Sequence, residues 1–126
     1  MNVLLDTCAV LALARGDLPS DASAALRTAP EAYVSTVSPW EVAIKAAAGK
    51  LRLAEPPLPW FLGLAERYNL RELSVDSQVA CAAAGLPHIN RDPFDRIIVA
   101  LAQANTLTVL TSDKNIPRYA GVKALW

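Results

Sequence analysis

Four acidic residues occupy positions from which carboxylates could act together. Asp6 closes the apolar run Val3-Leu4-Leu5, Glu41 and Asp95 fall in the first turns of expected helices, and Asp113 follows the apolar run ending at Leu110. If the ends of those strands and the starts of those helices face one sheet edge, the four carboxylates meet there. Carboxylates so gathered repel one another and raise each other's pKa unless a cation compensates. Hard oxygen donors select Mg²⁺ or Mn²⁺ over zinc. The single histidine, His88, and the widely separated Cys8 and Cys81 make no zinc pattern. Mg²⁺ takes one or two protein carboxylates and keeps several waters, so four acids suit one firmly held ion or two held jointly. A pair of ions about 3.5–4 Å apart stabilises both the attacking and the leaving oxygen in phosphodiester hydrolysis, with water activated by the metal as nucleophile. The sequence offers no Ser-His or Cys-His pairing for nucleophilic attack by a side chain.

Each acid also has a structural reading. Glu41 lies three residues after Ser38, the spacing of a capping box, and both roles can coexist. Asp92 precedes Pro93 and reads as a helix N-cap, and Asp95 is favoured by the helix dipole. Asp113 fits a turn within Thr-Ser-Asp-Lys-Asn. Asp6 has neither an obvious cap role nor a neighbouring cation, so the argument from residues rests most heavily on it. Asp17, Asp21 and Asp76 read as turn or helix-start acids, and His88 as a hydrogen-bonding loop residue. Both cysteines lie in apolar helical patterns and are expected to be buried structural thiols. Trp40, Trp60 and Phe61 read as core or dimer contacts ahead of base-stacking platforms. Lys45, Arg91, Arg96 and Lys114 flank the acids and are candidate phosphate contacts, with a solvated helix face as the competing reading; Lys50 and Arg52 extend the group near Glu41.

The positioning elements follow from periodicity and punctuation. Residues 3–5 form an expected strand, Thr7 to Arg15 a helix closed by Gly16, and about Asp21 to Thr28 a second helix. Ala32 to Ser35 reads as a strand leading into Ser38 at the N-cap and Pro39 at N1, with that helix running to about Ala48. A loop covers Lys50 to Pro59, and the next helix runs from Pro59 to about Tyr68. A strand at Arg71 to Val75, a helix at Asp76 to Ala84, a loop at Leu86 to Arg91 and a helix from Asp92 to near Asn105 come next. Leu107 to Leu110 is a strand, Asn115 to Tyr119 a short helix and Val122 to Trp126 a last strand. Strands alternating with helices predict an α/β sandwich around a mostly parallel sheet, whose ligand crevice lies beyond the carboxyl ends of the strands.

The 126 residues suffice for one domain with one core, and no linker, repeat or low-complexity segment divides them. Hydrophobic residues make up 53% of the chain, which favours tight helix packing or a buried dimer face. Twelve basic residues balance twelve acidic ones, so any polyanion must be held by local charge. The start Met-Asn-Val-Leu-Leu-Asp lacks the basic residue of a signal peptide, and no apolar run has membrane-spanning length. A soluble protein of the reducing cytoplasm is expected.

The motifs in order are Leu4-Leu5-Asp6-Thr7-Cys8, then Ser35 through Lys45 containing Ser38-Pro39-Trp40-Glu41, with Gly49-Lys50-Leu51 after it, then His88 through Ala100 containing Asp92-Pro93-Phe94-Asp95-Arg96, and Leu110-Thr111-Ser112-Asp113. Together they resemble a PIN domain, and within that family the VapC-like ribonuclease toxins of toxin–antitoxin pairs, over nearly the whole chain. The resemblance implies an α/β/α sandwich as a single domain over residues 1–126, with Asp6, Glu41, Asp95 and Asp113 in the family's acidic metal-binding positions. It further implies Mg²⁺- or Mn²⁺-dependent endonucleolytic cleavage of RNA, homodimerisation, and inhibition by a cognate antitoxin through which alone the protein would reach promoter DNA. Asp92 takes a supporting place, and Thr7 and Thr111 are placed to hydrogen-bond the acids or a metal-bound water.

Rival chemistries fit less well. A haloacid-dehalogenase-like phosphatase needs a second aspartate two residues after the first, where Cys8 stands. A receiver-type signalling domain needs an early acidic pair. The alternatives that survive are an RNA processing or decay nuclease of the same fold and a noncatalytic module whose acids dock a basic partner.

Overall fold

Asp6 reaches its place because a fully buried apolar strand delivers it to the edge of the sheet. In the computed structural model, which describes all 126 residues, five strands alternate with six helices. The strands are β1 (Val3–Leu5), β2 (Ala32–Ser35), β3 (Leu70–Leu73), β4 (Thr108–Leu110) and β5 (Lys123–Leu125). The helices are α1 (Thr7–Arg15), α2 (Ser20–Thr28), α3 (Val37–Ala47), α4 (Pro57–Arg67), α5 (Ser77–Ala84) and α6 (Pro93–Asn105), with a 3₁₀ turn at Ile116–Arg118. All strand pairs are parallel, in the order β3-β2-β1-β4-β5.

Strands buried on both faces explain the continuous apolar runs read from the sequence. Leu4 of β1 and Val109 of β4 are register partners and face α5, α6 and the residues Ile116, Tyr119 and Val122. Val3 and Leu5, one residue to either side, point the other way, onto α1, α2 and Phe61 of α4. This pleat alternation produces the three-layer α/β/α sandwich that was expected, with α3 lying against α1, α4 and α6. Burial of a leucine such as Leu4 or Leu5 contributes about 1.5–3 kcal/mol relative to exposure.

The chain builds outward from β1 to β2 and β3 on one side, then returns to place β4 on the other. The connections therefore diverge between β1 and β4, which opens a crevice at the carboxyl ends of those two strands. Asp6 and Asp113 follow the two strands that flank it. Gly16 ends α1 in the left-handed conformation, φ 77°, and its N–H caps the carbonyls of Ala12 and Leu13.

Several local boundaries differ from expectation. Helix α3 starts at Val37 with Thr36 before it and no side-chain cap, so Ser38 is not the N-cap and no capping box with Glu41 forms. Pro39 falls at the third helical residue, where its missing N–H still costs no helical bond. Helix α4 starts two residues early, at Pro57, because a proline there suits the first helical position as well as Pro59 would. Both cysteines are exposed instead of buried. On α1 the core takes Thr7, Ala9, Val10, Ala12 and Leu13, which leaves Cys8 on the opposite side with Arg15. No helix is long and apolar enough to cross a membrane.

Candidate active site

The crevice beyond β1 and β4 is a cleft of about 520 Å³ whose wall carries five carboxylates, those of Asp6, Glu41, Asp92, Asp95 and Asp113. The four acids singled out from the sequence thus come together, with Asp92 beside them. Each arrives on a different element: the β1–α1 turn, α3, the first turn of α6 and the turn after β4.

Asp6 is 3% exposed and caps α1, its Oδ1 accepting from the Ala9 N–H at 2.8 Å. This cap role corrects the reading that Asp6 had no structural task. Burial raises its pKa to about 6 against the lowering effects of the Thr111 hydroxyl and the Ala9 N–H; the charges of Glu41 and Asp113 add to the rise. Asp95 is pushed up to about 7, first by burial, then by the charge of Asp92 and by contact with Asp113, with Asn90 opposing. These shifts share their causes. Burial comes first for both, and the negative charge gathered in the cleft adds to it.

The turns that carry the acids are tightly specified. Asp92 Oδ1 accepts from the Phe94 N–H at 2.9 Å, which caps α6 at its Pro93 start and sets Asp95 in its first turn. Asp113 Oδ1 accepts from the Asn115 N–H at 2.8 Å, and the Asp113 N–H donates to Thr111 Oγ1 at 2.9 Å. Thr7 donates to Ser38 Oγ at 3.1 Å and not to an acid, which joins the β1–α1 turn to the start of α3.

Of the basic residues, Lys45 lines the cleft and pairs with Glu41 at 3.1 Å, one helical turn away. Arg91 and Lys114 are exposed. The Arg96 guanidinium donates to the carbonyls of Ala84, Leu86, Pro87 and Asn90 at 2.8–3.2 Å, so it clamps the loop before α6. His88 is exposed on that same loop. Trp40 is exposed and packs edge-on against Phe94 with ring centroids 5.2 Å apart, whereas Phe61 is in the core.

Two residues, one lining the cleft and one bonded to its acids, escaped the sequence reading. Arg15 lines the rim, and its signal is the i, i+3, i+7 face Cys8, Leu11, Arg15, all of which border the cleft. Asn90, two residues before Asp92, reaches both Asp95 and Asp113. Only its place before an Asp-Pro helix start marks it in the sequence.

No three His, Cys, Asp or Glu side chains are grouped tightly enough to enclose an ion by themselves. Of the two arrangements expected, one ion held firmly by all four acids is not preformed. The donor set still fits Mg²⁺ or Mn²⁺: carboxylate oxygens around an open cleft match an ion that binds through one or two protein ligands and retains water.

Comparison with known proteins places this geometry in a family. The PIN domain model matches residues 3–122. Ribonuclease VapC22 of Mycobacterium tuberculosis is 34% identical over 96 residues, which cover 75% of this chain and 72% of that protein. Among solved structures, VapBC2 from Rickettsia felis bound to a promoter DNA fragment superposes with a TM-score of 0.71 at 14% identity, covering 99% of this chain and 98% of the other. DNA-bound VapBC from Salmonella typhimurium gives 0.70 at 17% identity, covering 99% and 97%. The match over nearly all of the sequence, on a sheet that brings its acids to one edge, shows that this chain belongs to the PIN domain family.

Proposed function

We propose that the protein is the endoribonuclease toxin of a toxin–antitoxin pair, hydrolysing RNA phosphodiester bonds with Mg²⁺ or Mn²⁺. The observation that carries this reading is the convergence of Asp6, Glu41, Asp92, Asp95 and Asp113 on one cleft, with Asp6 and Asp95 raised first by burial and then by the neighbouring carboxylates. The similarity to a ribonuclease VapC supports the substrate class, and the structural likeness to VapBC assemblies on DNA supports an antitoxin partner that makes the DNA contact. Homodimerisation and a cytoplasmic location belong to the same reading.

Asp6, Glu41, Asp95 and Asp113 are the oxygen donors that would hold the metal, and Asp92 orders the turn that presents Asp95. Bound there, a divalent ion supplies charge stabilisation at the phosphate and lowers the pKa of water. The chain supplies the rest. Helix α1 holds Asp6 by its cap, Thr111 orients Asp6 and the Asp113 turn, and Lys45 keeps Glu41 in place while offering positive charge to the phosphate backbone. Arg15 adds a second cation at the rim.

The test is cleavage of total RNA by the purified chain, wild type and Asp6→Asn, with and without chelator. Asparagine caps a helix as well as aspartate does, so the fold stays intact while one charge leaves the cleft. Cleavage should fall by about 100-fold or more in Asp6→Asn and stop in EDTA, and Mg²⁺ or Mn²⁺ should restore the wild type. Cleavage that persists in chelator would sink the metal assignment.

A further inference from the structure

Asn90 lies in the loop that Arg96 clamps, and every hydrogen-bonding group it owns is engaged. Its Nδ2 donates to Asp95 Oδ2 at 3.0 Å and to Asp113 Oδ2 at 3.1 Å. Its Oδ1 accepts from the Asp92 N–H at 3.0 Å. Its main-chain N–H donates to the Tyr119 hydroxyl at 2.8 Å, and its carbonyl accepts from Arg96 at 3.2 Å. The amide cannot be turned over, because a flip would set NH₂ against the Asp92 N–H and oxygen against two carboxylates. The side chain thus presents only its donor to the acids, and its oxygen is occupied elsewhere, so it is no metal ligand.

We propose that Asn90 is a positioning residue of the acidic cleft: one amide nitrogen, shared by two carboxylates from α6 and the β4 turn, sets Asp95 and Asp113 in the mutual arrangement that takes up a divalent cation. Charge-assisted hydrogen bonds of this kind are stronger than neutral ones and directional. They join two acids that the fold brings together from positions 18 residues apart in the chain. Partners that orient metal ligands in this way typically control affinity by about 10–100-fold. The inference rests on the metal-dependent reading above and adds a residue to it.

The experiment measures Mn²⁺ binding to the full chain by the paramagnetic resonance of free Mn²⁺, alongside thermal melting in chelator. Asn90→Ser is the informative variant. Its hydroxyl can still accept from the Asp92 N–H, as serine does in turns that asparagine also forms, but it cannot span both carboxylates. The expected result is a melting temperature near that of the wild type with Mn²⁺ affinity lower by about 10–100-fold. A purely structural asparagine would show the reverse, a lowered melting temperature with affinity retained in the folded fraction, and that outcome overturns the proposal. Tyr119→Phe serves if Asn90→Ser does not fold: it removes only the anchor of the Asn90 main chain and should also weaken Mn²⁺ binding, and unchanged affinity counts against the role. If the wild type binds Mn²⁺ and Asn90→Ser binds it equally, Asn90 loses its role and the metal site stands. If the wild type binds none, both readings fall.

Discussion

Thr7 and Ser38 share a hydrogen bond of 3.1 Å between two buried hydroxyls, 31 residues apart in the chain. Thr7 follows Asp6 directly, and Ser38 lies three residues before Glu41, so the bond fixes one acid's turn to the other acid's helix. Thr7→Val keeps the shape and removes the donor, which leaves the Ser38 hydroxyl without this partner in the interior. Stability should fall by about 1–3 kcal/mol, read from urea unfolding, and Ser38→Ala in the same chain should recover part of the loss. A Thr7→Val protein as stable as the wild type would show that the bond contributes nothing.

The raised carboxyls make the metal-free protein sensitive to pH in a defined direction. Their ordinary pKa is 3.8, and folding moves Asp6 to about 6 and Asp95 to about 7. Between those values the folded chain binds more protons than the unfolded chain, so stability is greatest on the acid side and declines as pH rises from about 4 to about 7. Melting in EDTA should show that decline. Added Mn²⁺ should raise the melting temperature little at about pH 5 and clearly at about pH 8, since the cation binds the ionised acids and stabilises the state it binds. A melting temperature in EDTA that is flat across the window would mean that these carboxyls titrate normally.

Arg96 should prove to be a stability residue. Its planar fork serves four carbonyls that a lysine ammonium cannot reach together. Arg96→Lys is expected to cost about 1–3 kcal/mol in urea unfolding and to reduce RNA cleavage through the loop that carries Asn90. Unchanged stability with a weaker dependence of RNA binding on salt would assign Arg96 to RNA instead.

Arg15 and Lys45 should behave in the opposite way. Their ion pairs are with Asp17 and Glu41, and both side chains are more than one-third exposed. Replacing either with alanine should change stability by less than about 1 kcal/mol. RNA binding by a cleavage-deficient chain should weaken, and the slope of log affinity against log salt should shrink by about 0.7 for each phosphate that is no longer neutralised. Salt slopes equal to that of the parent chain would remove both residues from the RNA path.

Whatever depends on a few neighbouring residues was legible in the sequence. The apolar run into Asp6, the Asp92-Pro93 start of α6 and the apolar strand before Asp113 place three acids at strand ends and helix starts, because periodicity and capping act within one or two turns. The alternation of elements likewise predicted the parallel sheet. Whatever depends on partners distant in the chain was settled by packing. Ser38 has the right type and spacing for a capping box, yet its hydroxyl is taken by Thr7 and the helix starts at Val37. Cys8 sits in an apolar helical pattern, yet the sheet claims the opposite face of α1 and turns Cys8 to the cleft. Asn90 has no local signal for its role, because strand order is what brings Asp113 within its reach, and Arg96 becomes a clamp on four carbonyls because the α5–α6 connection folds back on it. The acids were legible one at a time, since each sits on a local signal. Their meeting in one cleft follows from where the chain reverses its strand order between β1 and β4, and that is set by packing both faces of the sheet.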